Sequence, residues 1–445
     1  MRISVVGAGY VGLVSGACLA DVGHTCVCVD NDAAKVASIR RGIPPIHESG
    51  LEDVLKRVIG TRLDVTSDLS GAVRASDLTL IAVGTPFRED AIDLSYVRTA
   101  AAQIGAALRC KAGYHAVVVK STVVPGTTDD VVRPILEEAS GKQAGVDFGL
   151  GMNPEFLTEG VAIEDFMRPD RIVLGGIDDR TIDTLAAVYE PFAGVPVLRT
   201  NNKTAEMIKY ASNSVLATLI SFSNEIGNLC QCLGGVDAAE VMAGVHQAHY
   251  FTPRLEDGRR VPAPITNFLW PGCGFGGSCL PKDVKALSAQ GRARGQPMSL
   301  LDAVMEVNRS QPARVVGILE KHLGSLRQKR VCVLGLAFRP DTDDVRESPA
   351  IPILRHLVDR GAIVSAYDPV VQVAALQSVQ AESVSVAGSL DEAVTGVDAL
   401  VLVTRWEQFR RLPALLEGFA NPPLLVDGRR MLDKRSIPRY AGVGT

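Results

Sequence analysis

The stretch that decides the fold is Gly7-Ala8-Gly9-Tyr10-Val11-Gly12, which directly follows the β-rich run Arg2–Val6 and opens the apolar segment Leu13–Val22. A strand, a glycine-rich turn and a helix in this order begin a doubly wound α/β sheet. Gly7 permits the tight turn, Gly9 leaves its backbone open to a close ligand, and the third glycine lets helix and strand pack closely. The stretch therefore predicts a Rossmann-like domain at the start of the chain.

The next strand, Thr25–Val29, ends at Asp30, and its position indicates which dinucleotide the domain binds. A carboxylate here accepts hydrogen bonds from an adenosine ribose and repels a 2′-phosphate, which favours NAD over NADP. The N–H groups at the start of the first helix would face the diphosphate. Thr85 and Thr122 follow two further strands, at the edge where such sheets bind ligands. An FAD site, or a glycine-rich turn in another α/β domain, are the alternatives that this pattern leaves open.

The order of predicted strands and helices changes twice along the 445 residues. Strands alternate with helices to about residue 200, which indicates βαβ units on a parallel sheet. The segment Lys203–Leu233 has no proline and has apolar residues at helical spacing, which predicts one long helix. The alternation restarts at Arg330. We therefore predict an α/β protein with two Rossmann-like doubly wound parallel-sheet domains, residues 1–200 and 323–445, joined by a central long-helix domain, residues 201–322.

The composition excludes several classes of protein. Hydrophobic residues make up 47% and charged residues 22% of the chain, as in ordinary globular proteins. A net charge of −4 argues against a nucleic-acid partner. No apolar run reaches the roughly 20 residues of a membrane-spanning helix, and glycines interrupt the apolar N-terminus that imitates a signal peptide. The nine scattered cysteines suit a reducing compartment, so we expect a cytoplasmic protein without a membrane partner.

Cys279 stands out among the cysteines because of the segment around it, Phe275–Asp283. Glycines and a serine lead into a predicted helix with Pro281 in its first turn. Cys279 would then lie at the helix N-terminus, where the dipole lowers the pKa of a thiol, and Asp283 would lie one turn further on the same face. A buried cysteine that acts only as a small hydrophobe is the alternative.

Two further segments pair reactive side chains four residues apart. Lys209 and Asn213 share one face of the predicted long helix, and Glu155 and Glu159 follow a strand end. Each pair also has an alternative without chemistry. Lys209 and Asn213 could form a polar, solvent-exposed stripe on the helix, and Glu155 and Glu159 could cap a helix. A cysteine nucleophile, a lysine and an amide that hold an oxyanion, an aspartate that orders water and carboxylates that act as bases are the components of thioester chemistry. The seven histidines show no metal-ligand spacing, so we expect no metal site.

The turn that opens the second predicted Rossmann-like domain differs from the first. Gly335-Leu336-Ala337-Phe338 lacks the glycines that cradle a second dinucleotide. Arg339 and Arg346 lie in the charged loop that follows. This loop is either a solvated charged segment or a binding site for a diphosphate, which arginines at a strand's carboxyl edge suit.

Five stretches together resemble the UDP-glucose/GDP-mannose dehydrogenase family over nearly the whole chain, and the glycine-rich stretch that leads into Cys279 is the most specific of them. The resemblance implies an NAD-binding domain, a central dimerisation domain and a C-terminal nucleotide-sugar domain, and hence a homodimer. The stretches are Gly7–Gly12 with Asp30, Asn153-Pro154-Glu155-Phe156-Leu157, Lys209-Tyr210-Ala211-Ser212-Asn213, Gly274–Asp283 and Thr404-Arg405-Trp406.

The resemblance also implies a role for each reactive residue. It implies that Cys279 carries first a thiohemiacetal and then a thioester, while Lys209 and Asn213 stabilise the developing oxyanion. Asp283 and Thr122 would position the water that acts as base. A sugar CH₂OH would thus be oxidised twice, to a carboxylate, and two NAD would be consumed for each sugar.

Further implied contacts concern the two ligands. Glu155 would help to hydrolyse the thioester, Glu159 would lie by the nicotinamide, Arg346 would contact the NAD diphosphate, and the loop Phe268–Phe275 would cover the nucleotide sugar. The expected catalytic residues are Thr122, Glu155, Lys209, Asn213, Cys279 and Asp283. The expected cofactor-binding residues are Gly7, Gly9, Tyr10, Val11, Gly12, Asp30, Lys35, Thr85, Thr122, Glu159 and Arg346. The expected substrate-binding residues are Glu155, Phe156, Leu157, Lys209, Asn213, Arg254, Phe268, Phe275, Gly276 and Arg339.

Within the family, Arg168–Val173 and Thr404-Arg405-Trp406 resemble the branch that acts on UDP-glucose, which implies a UDP-sugar substrate. The chain departs from the family upstream of Cys279, where many members carry an Arg-Ile pair that crosses to the sugar of the other subunit. In this chain no Arg-Ile pair stands at that position, and the segment His249–Pro264 is expanded. Arg254, or a neighbouring arginine, is therefore the candidate replacement. GDP-mannose or a UDP-N-acetylhexosamine are the alternative substrates, and a non-catalytic nucleotide-binding regulator is the alternative function.

Overall fold

The computed structural model of the protein describes residues 1–371 and 384–445. The chain divides into two compact units, residues 1–212 and residues 213–445. The finer division at residues 200 and 322 stays a prediction. Within the described ranges, no helix combines the length and the apolar character that crossing a bilayer requires.

The first unit, which is described without gaps, is built on an eight-stranded sheet. Its strands alternate with helices because apolar, β-branched runs are separated by amphipathic segments, and the central strands are buried on both faces. The strands are β1 Arg2–Val6, β2 Thr25–Val29, β3 Leu63–Thr66, β4 Leu78–Ile81, the separate hairpin β5 Phe87–Arg88 and β6 Ala91–Ile92, then β7 Ala116–Val119, β8 Gly149–Met152, β9 Ile172–Gly176 and β10 Val197–Thr200. The order across the sheet is β10-β9-β8-β7-β4-β1-β2-β3.

The helices of the first unit flank this sheet, and capping side chains mark the start of some of them. The Asp32 side chain caps the second helix by accepting hydrogen bonds from the N–H groups of Ala34 and Lys35. The helices are α1 Tyr10–Asp21, α2 Ala33–Arg40, α3 Leu51–Val58, α4 Leu69–Ala75, α5 Ser95–Arg109, α6 Arg133–Ser140, α7 Ala162–Met167 and α8 Asp179–Ala186. The long helix α9, Asn202–Leu233, begins in this unit and continues into the second, and it agrees with the predicted segment to within one residue.

The doubly wound α/β class is confirmed, with one difference at the edge of the first sheet. β8 pairs with β9 in antiparallel fashion, and β10 pairs with β9 in parallel, so the last two strands run opposite to the rest. Alternation of strands and helices predicts crossovers and therefore parallel pairing. The alternation of strands and helices does not show whether a connection crosses over to a parallel strand or leads directly into an antiparallel neighbour. The connection from β8 to β9 through α7 is of the second kind.

The second unit carries a sheet of six parallel strands among its described residues, 213–371 and 384–445. The strands are β11 Arg330–Leu334, β12 Ile363–Tyr367, β13 Ser385–Val386, β14 Ala399–Leu402, β15 Leu424–Asp427 and β16 Tyr440–Gly442, in the order β13-β12-β11-β14-β15-β16. The helices that follow α9 are α10 Ala238–His246, α11 Leu280–Ala293, α12 Ser299–Leu323, α13 Ala350–Asp359, α14 Leu390–Ala393 and α15 Leu412–Glu417. This sheet confirms the second Rossmann-like fold expected from Arg330 onwards.

One buried histidine makes the stability of the first unit depend on pH. His115 lies just before β7, with its Nε2 2.8 Å from Thr79 Oγ1 and its Nδ1 3.2 Å from the carbonyl oxygen of Ser76. Burial lowers the pKa of His115 to about 3. The unfolded chain, in which a histidine pKa is about 6.5, therefore binds more protons than the folded chain between these values, and acidification favours unfolding.

We expect the free energy of unfolding to fall by about 2 kcal/mol more in the unsubstituted protein than in His115→Gln when the pH is lowered from 7.5 to 5. Urea unfolding followed by circular dichroism at the two pH values measures this difference. His47→Gln, at an exposed histidine, is the matched control and should behave like the unsubstituted protein. An equal loss in all three proteins contradicts the prediction.

Candidate active site

The turn between β1 and α1 leaves room for a ligand against its backbone. Gly7 has a φ of 99°, and a Cβ on Gly12 would lie 1.8 Å from the carbonyl oxygen of Gly7, so both positions require glycine. A Cβ on Gly9 would have no heavy atom within 4 Å, and Gly9 starts the helix without a capping side chain. Open space in front of uncapped helix N–H groups fits a diphosphate.

Asp30 lies beside this turn and organises it. Its Oδ2 accepts hydrogen bonds from the Ala8 N–H, at 3.0 Å, and from Lys35 Nζ, at 3.1 Å, and its Oδ1 accepts one from the Asp32 N–H. A carboxylate offers about four acceptor positions, so Asp30 retains capacity for a ribose hydroxyl. The structure thus brings the predicted residues Asp30 and Lys35 together, in an arrangement that fits the adenosine half of NAD.

Two other predicted residues of the cofactor edge contact each other. Thr85 Oγ1 donates a hydrogen bond of 2.8 Å to the carbonyl oxygen of Thr122, which joins the turns after β4 and β7. Both turns follow buried parallel strands and lie at the carboxyl edge of the sheet, where open α/β sheets bind ligands. The structure therefore brings together Thr85 and Thr122, which the sequence placed at the ends of two separate strands.

Tyr10 has a structural partner that sequence reasoning missed. Its hydroxyl donates to Glu48 Oε2, and it accepts a hydrogen bond of 3.1 Å from the Gly160 N–H. Glu48 also accepts hydrogen bonds of 2.7 Å from the N–H groups of Gly160 and Ala162. Burial and the Glu48 carboxylate raise the pKa of the Tyr10 hydroxyl above its ordinary value. Tyr10 and Glu48 thus hold the turn at Gly160, just after Glu159. Glu48 stands between His47 and Ser49, so its sequence context resembles that of an exposed glutamate.

Glu155 and Lys209 form an ion pair that is almost fully buried. Lys209 Nζ lies 2.9 Å from Glu155 Oε1, and the two side chains are only 4% and 5% exposed. Glu155 Oε2 also accepts a hydrogen bond of 2.7 Å from the Leu157 N–H. Burial raises the pKa of Glu155, but the Lys209 ammonium and this N–H outweigh burial, so the pKa lies below its ordinary value. The site therefore holds Glu155 as a carboxylate, as a base or charge-bearing group requires.

Phe156 lies next to this ion pair. Lys209 Nζ lies 5.6 Å from the centre of the Phe156 ring, and the Arg171 guanidinium lies 3.9 Å from it. Such cation–π contacts favour a cation at the face of the ring. The structure thus groups Glu155, Phe156 and Lys209, which come from two separate segments of the sequence.

A second missed carboxylate anchors the helix that carries Lys209. Glu206, one turn earlier in α9, accepts hydrogen bonds from the Gly126 N–H at 2.6 Å, the Thr128 N–H at 2.8 Å and Thr128 Oγ1 at 2.7 Å. Burial raises the pKa of Glu206 to about 7. Glu206 fixes the start of α9 against the turn that follows β7, and nothing in the sequence distinguishes it from an exposed helical glutamate.

In the second unit, Cys279 occupies the N-cap position of α11, as the sequence predicted. Pro281 lies in the first turn, and the Asp283 N–H donates a hydrogen bond of 2.9 Å to the Cys279 carbonyl. Asn213 Nδ2 donates a hydrogen bond of 2.6 Å to Asp283 Oδ2, and Lys282 Nζ lies 2.5 Å from Asp283 Oδ1. Asp283 is fully buried, so these partners hold it as an oriented acceptor.

The loop before Cys279 is held by an amide that sequence reasoning did not single out. Asn308 Oδ1 accepts a hydrogen bond of 2.8 Å from the Phe275 N–H, and Asn308 Nδ2 donates one of 3.0 Å to the Phe275 carbonyl. A Cβ on Gly276 would lie 2.2 Å from the carbonyl oxygen of Glu347, so the glycine is required by a neighbouring backbone. This contact joins the loop to the segment that contains Arg346.

Four further residues predicted to contact ligands lie in the second unit. The Arg346 guanidinium pairs with Asp344, at 2.7 Å, and Arg339 lies earlier in the same loop. Phe268 ends a short 3₁₀ turn and is 49% exposed. Arg254 is exposed, and its backbone forms an isolated antiparallel β-bridge with Arg260 in the expanded segment. The ligand contacts of these four residues stay predictions.

Comparison with known proteins gives the same family three times along the chain. The UDP-glucose/GDP-mannose dehydrogenase family, NAD binding domain, matches residues 1–193, its central domain matches residues 203–310, and its UDP binding domain matches residues 332–434. The UDP-glucose 6-dehydrogenase AglM of Haloferax volcanii is 42% identical over 98% of both chains. The GDP-mannose 6-dehydrogenase of Pseudomonas putida is 39% identical over 96% of this chain and 99% of its own.

The fold has the same relatives among solved structures. A UDP-glucose dehydrogenase from Pyrobaculum islandicum superposes with a TM-score of 0.88 at 39% identity, covering 100% of this chain and 97% of its own. A UDP-D-ManNAc dehydrogenase from Pyrococcus horikoshii gives 0.85 at 27% identity, covering 100% and 99%. With the glycine turn and the buried clusters in place, these matches show that the chain belongs to the UDP-glucose/GDP-mannose dehydrogenase family and is an NAD-dependent nucleotide-sugar 6-dehydrogenase.

Proposed function

We propose that the protein oxidises UDP-glucose to UDP-glucuronate. The two oxidations convert CH₂OH, two NAD⁺ and one water into a carboxylate, two NADH and three protons. Two similarities support this sugar, the identity to UDP-glucose 6-dehydrogenases and the match of residues 332–434 to a UDP binding domain. The observation that carries the chemistry is Cys279 at the N-cap of α11, next to the Asn213–Asp283 hydrogen bond.

The residues of each unit have distinct tasks in this proposal. NAD, when bound, takes up two electrons from the sugar at each oxidation. The Cys279 thiolate adds to the C6 aldehyde, and the Lys209 ammonium and the Asn213 amide stabilise the oxygen that gains negative charge. Asp283 and Thr122 orient the water that acts as base, and Glu155 promotes hydrolysis of the thioester. The low pKa of Glu155 supports its part, because an ionised carboxylate can accept a proton from water.

The proposed ligand contacts complete the assignment. We assign the NAD diphosphate and ribose to the Gly7–Gly12 turn with Asp30 and Lys35, and the nicotinamide edge to Thr85, Thr122 and Glu159. Arg346 would contact the diphosphate of NAD. The loop Phe268–Phe275 would contact the nucleotide sugar, together with Gly276 and Arg339. Arg254 is the candidate for the arginine that other members place upstream of the cysteine.

Purified protein incubated with excess NAD and limiting UDP-glucose should form two NADH for each sugar, measured by absorbance against UDP-glucuronate determined by mass spectrometry. The yield is two because the aldehyde stays bound as a thiohemiacetal until the second oxidation. GDP-mannose and UDP-N-acetylmannosamine serve as comparison substrates, since relatives with those names match this chain closely. One NADH for each sugar, or a higher kcat/KM for another nucleotide sugar, overturns the proposal.

Replacing the nucleophile should separate binding from acid formation. We expect Cys279→Ser to lower formation of UDP-glucuronate by about 1,000-fold or more, because a hydroxyl replaces the thiolate, while the affinity for NAD stays unchanged. Cys110→Ser, at an exposed cysteine of the first unit, is the matched control and should keep full activity. If Cys279→Ser turns over at the unsubstituted rate, the covalent route is excluded.

We further propose that the protein is a homodimer whose contact includes one face of α9. Val215, Phe222, Leu229 and Leu233 recur at spacings of seven, seven and four residues and are 51% to 65% exposed. Exposed apolar side chains at heptad spacing are typical of a helix–helix seam. We therefore infer that a second copy of the chain covers this stripe.

Phe222→Glu should shift the protein from dimer to monomer, because a carboxylate in an apolar seam is desolvated without a partner. Sedimentation velocity at micromolar concentration measures the mass. Leu300→Glu, at a 65% exposed leucine of α12, is the matched control and should remain dimeric. An unsubstituted protein that sediments as a monomer, or a dimeric Phe222→Glu variant, excludes the seam.

A further inference from the structure

A second buried lysine lies near the Glu155–Lys209 ion pair and has no place in the chemistry described so far. Lys120 follows β7 and is only 3% exposed. Its Nζ donates hydrogen bonds to Asn153 Oδ1, at 2.9 Å, and to the Tyr189 hydroxyl, at 3.5 Å. Both partners are neutral groups. An ammonium buried among neutral partners is costly, which raises the question of which charge compensates it.

The partners of Lys120 are themselves fixed. The Tyr189 hydroxyl donates a hydrogen bond of 2.5 Å to Asn153 Oδ1, and Asn153 Nδ2 donates one of 3.0 Å to the Val173 carbonyl. Asn153 is two residues before Glu155, in the turn that ends β8. Lys120 is therefore hydrogen-bonded to the base of the turn that carries the Glu155 carboxylate.

Lys120, Asn153, Glu155 and Tyr189 line one cavity of about 70 Å³. The other charged residues around it are Asp165, Arg168, Asp170 and Arg171. Glu155 pairs directly with Lys209, so the buried interior holds one carboxylate and two ammonium groups. Charges in a buried interior interact more strongly than at a surface.

The electrostatic influence between Lys120 and Glu155 is mutual. Burial lowers the pKa of Lys120 to about 8, while the Glu155 carboxylate acts to raise it. The positive charges of Lys209 and, more weakly, Lys120 lower the pKa of Glu155 against the effect of burial. Near neutral pH, Lys120 is therefore protonated and its charge favours the ionised form of Glu155.

We propose that Lys120 is a positioning residue of the active site, whose buried positive charge keeps Glu155 ionised beside Lys209. This inference rests on the proposed function in one respect, the use of Glu155 in hydrolysis of the thioester. The Lys120 ammonium, which is hydrogen-bonded to Asn153, supplies a positive charge without contacting the substrate. It leaves the interior with an excess of one positive charge, which also favours an oxyanion that develops next to Lys209.

The decisive measurement follows Glu155 itself and needs no substrate. Protein labelled with ¹³C at the glutamate δ-carbon is titrated by NMR, and Glu155→Gln identifies the resonance of Glu155. We expect the titration midpoint of Glu155 to rise by about one pH unit in Lys120→Met and in Lys120→Gln. Lys120→Gln retains a hydrogen-bond donor for Asn153 without the charge, so it separates charge from hydrogen bonding and keeps the cluster packed. Lys111→Met removes a half-buried lysine that donates to the carbonyls of Val73 and Arg74, and should leave the midpoint unchanged.

Steady-state kinetics with the nucleotide sugar that the protein oxidises provides the second readout. We expect Lys120→Met and Lys120→Gln to lower kcat by about tenfold, with KM changed by less than about threefold. The acidic limb of the kcat profile should move to higher pH, because Glu155 becomes protonated at a higher pH than before. A merely structural loss would lower the rate without moving that limb.

An unchanged Glu155 midpoint in both Lys120 variants overturns the proposal, whatever the substrate proves to be. A midpoint that shifts in Lys120→Met but returns in Lys120→Gln also overturns it, because the hydrogen bond and not the charge would then be responsible. A shifted midpoint in a protein that does not oxidise UDP-glucose supports the electrostatic role of Lys120 and rejects only the proposed sugar.

Discussion

The first unit depends on a close approach of backbone to backbone between Gly12 and Gly7. Helix α1 can start directly above the end of β1 only because no side chain stands at Gly12, where a Cβ would meet the Gly7 carbonyl at 1.8 Å. The same approach brings the uncapped N–H groups of the helix to the edge of the sheet, at the switch point between β1 and β4. The open turn in front of these N–H groups, which fits a diphosphate, follows from this one contact.

Buried charge is the second constraint. Glu155, Lys209, Lys120 and Glu206 are all nearly inaccessible to solvent, and each is held by specific hydrogen bonds or an opposite charge. Burial without partners would favour the neutral forms of these groups. In the second unit Asp283 is held in the same way, by Asn213 and Lys282. The fold therefore supplies a partner for each of these buried groups, and for Glu155 these partners hold the pKa below its ordinary value.

The sequence was sufficient for the repeated pattern of the fold and for the local part of the site. Periodicity and glycine placement predicted β1, α1 and α9 closely, and the proline after Cys279 predicted its N-cap position, because these signals act within a few residues. The antiparallel pairing of β9 with β8 was not predictable, since it depends on which way a connection returns. Glu48, Glu206, Asn308 and Lys120 were missed because their partners lie far away along the chain. Nothing in a single sequence separates such residues from exposed polar ones.

Glu206 has a consequence for which parts of α9 tolerate substitution. Its three hydrogen bonds clamp the first turns of the helix to the segment after β7, so the axial position of Lys209 is set from inside the first unit. The exposed apolar side chains Val215, Phe222, Leu229 and Leu233 lie further along the same helix. We therefore expect substitutions at these exposed positions to leave the Lys209 ammonium in place beside Glu155.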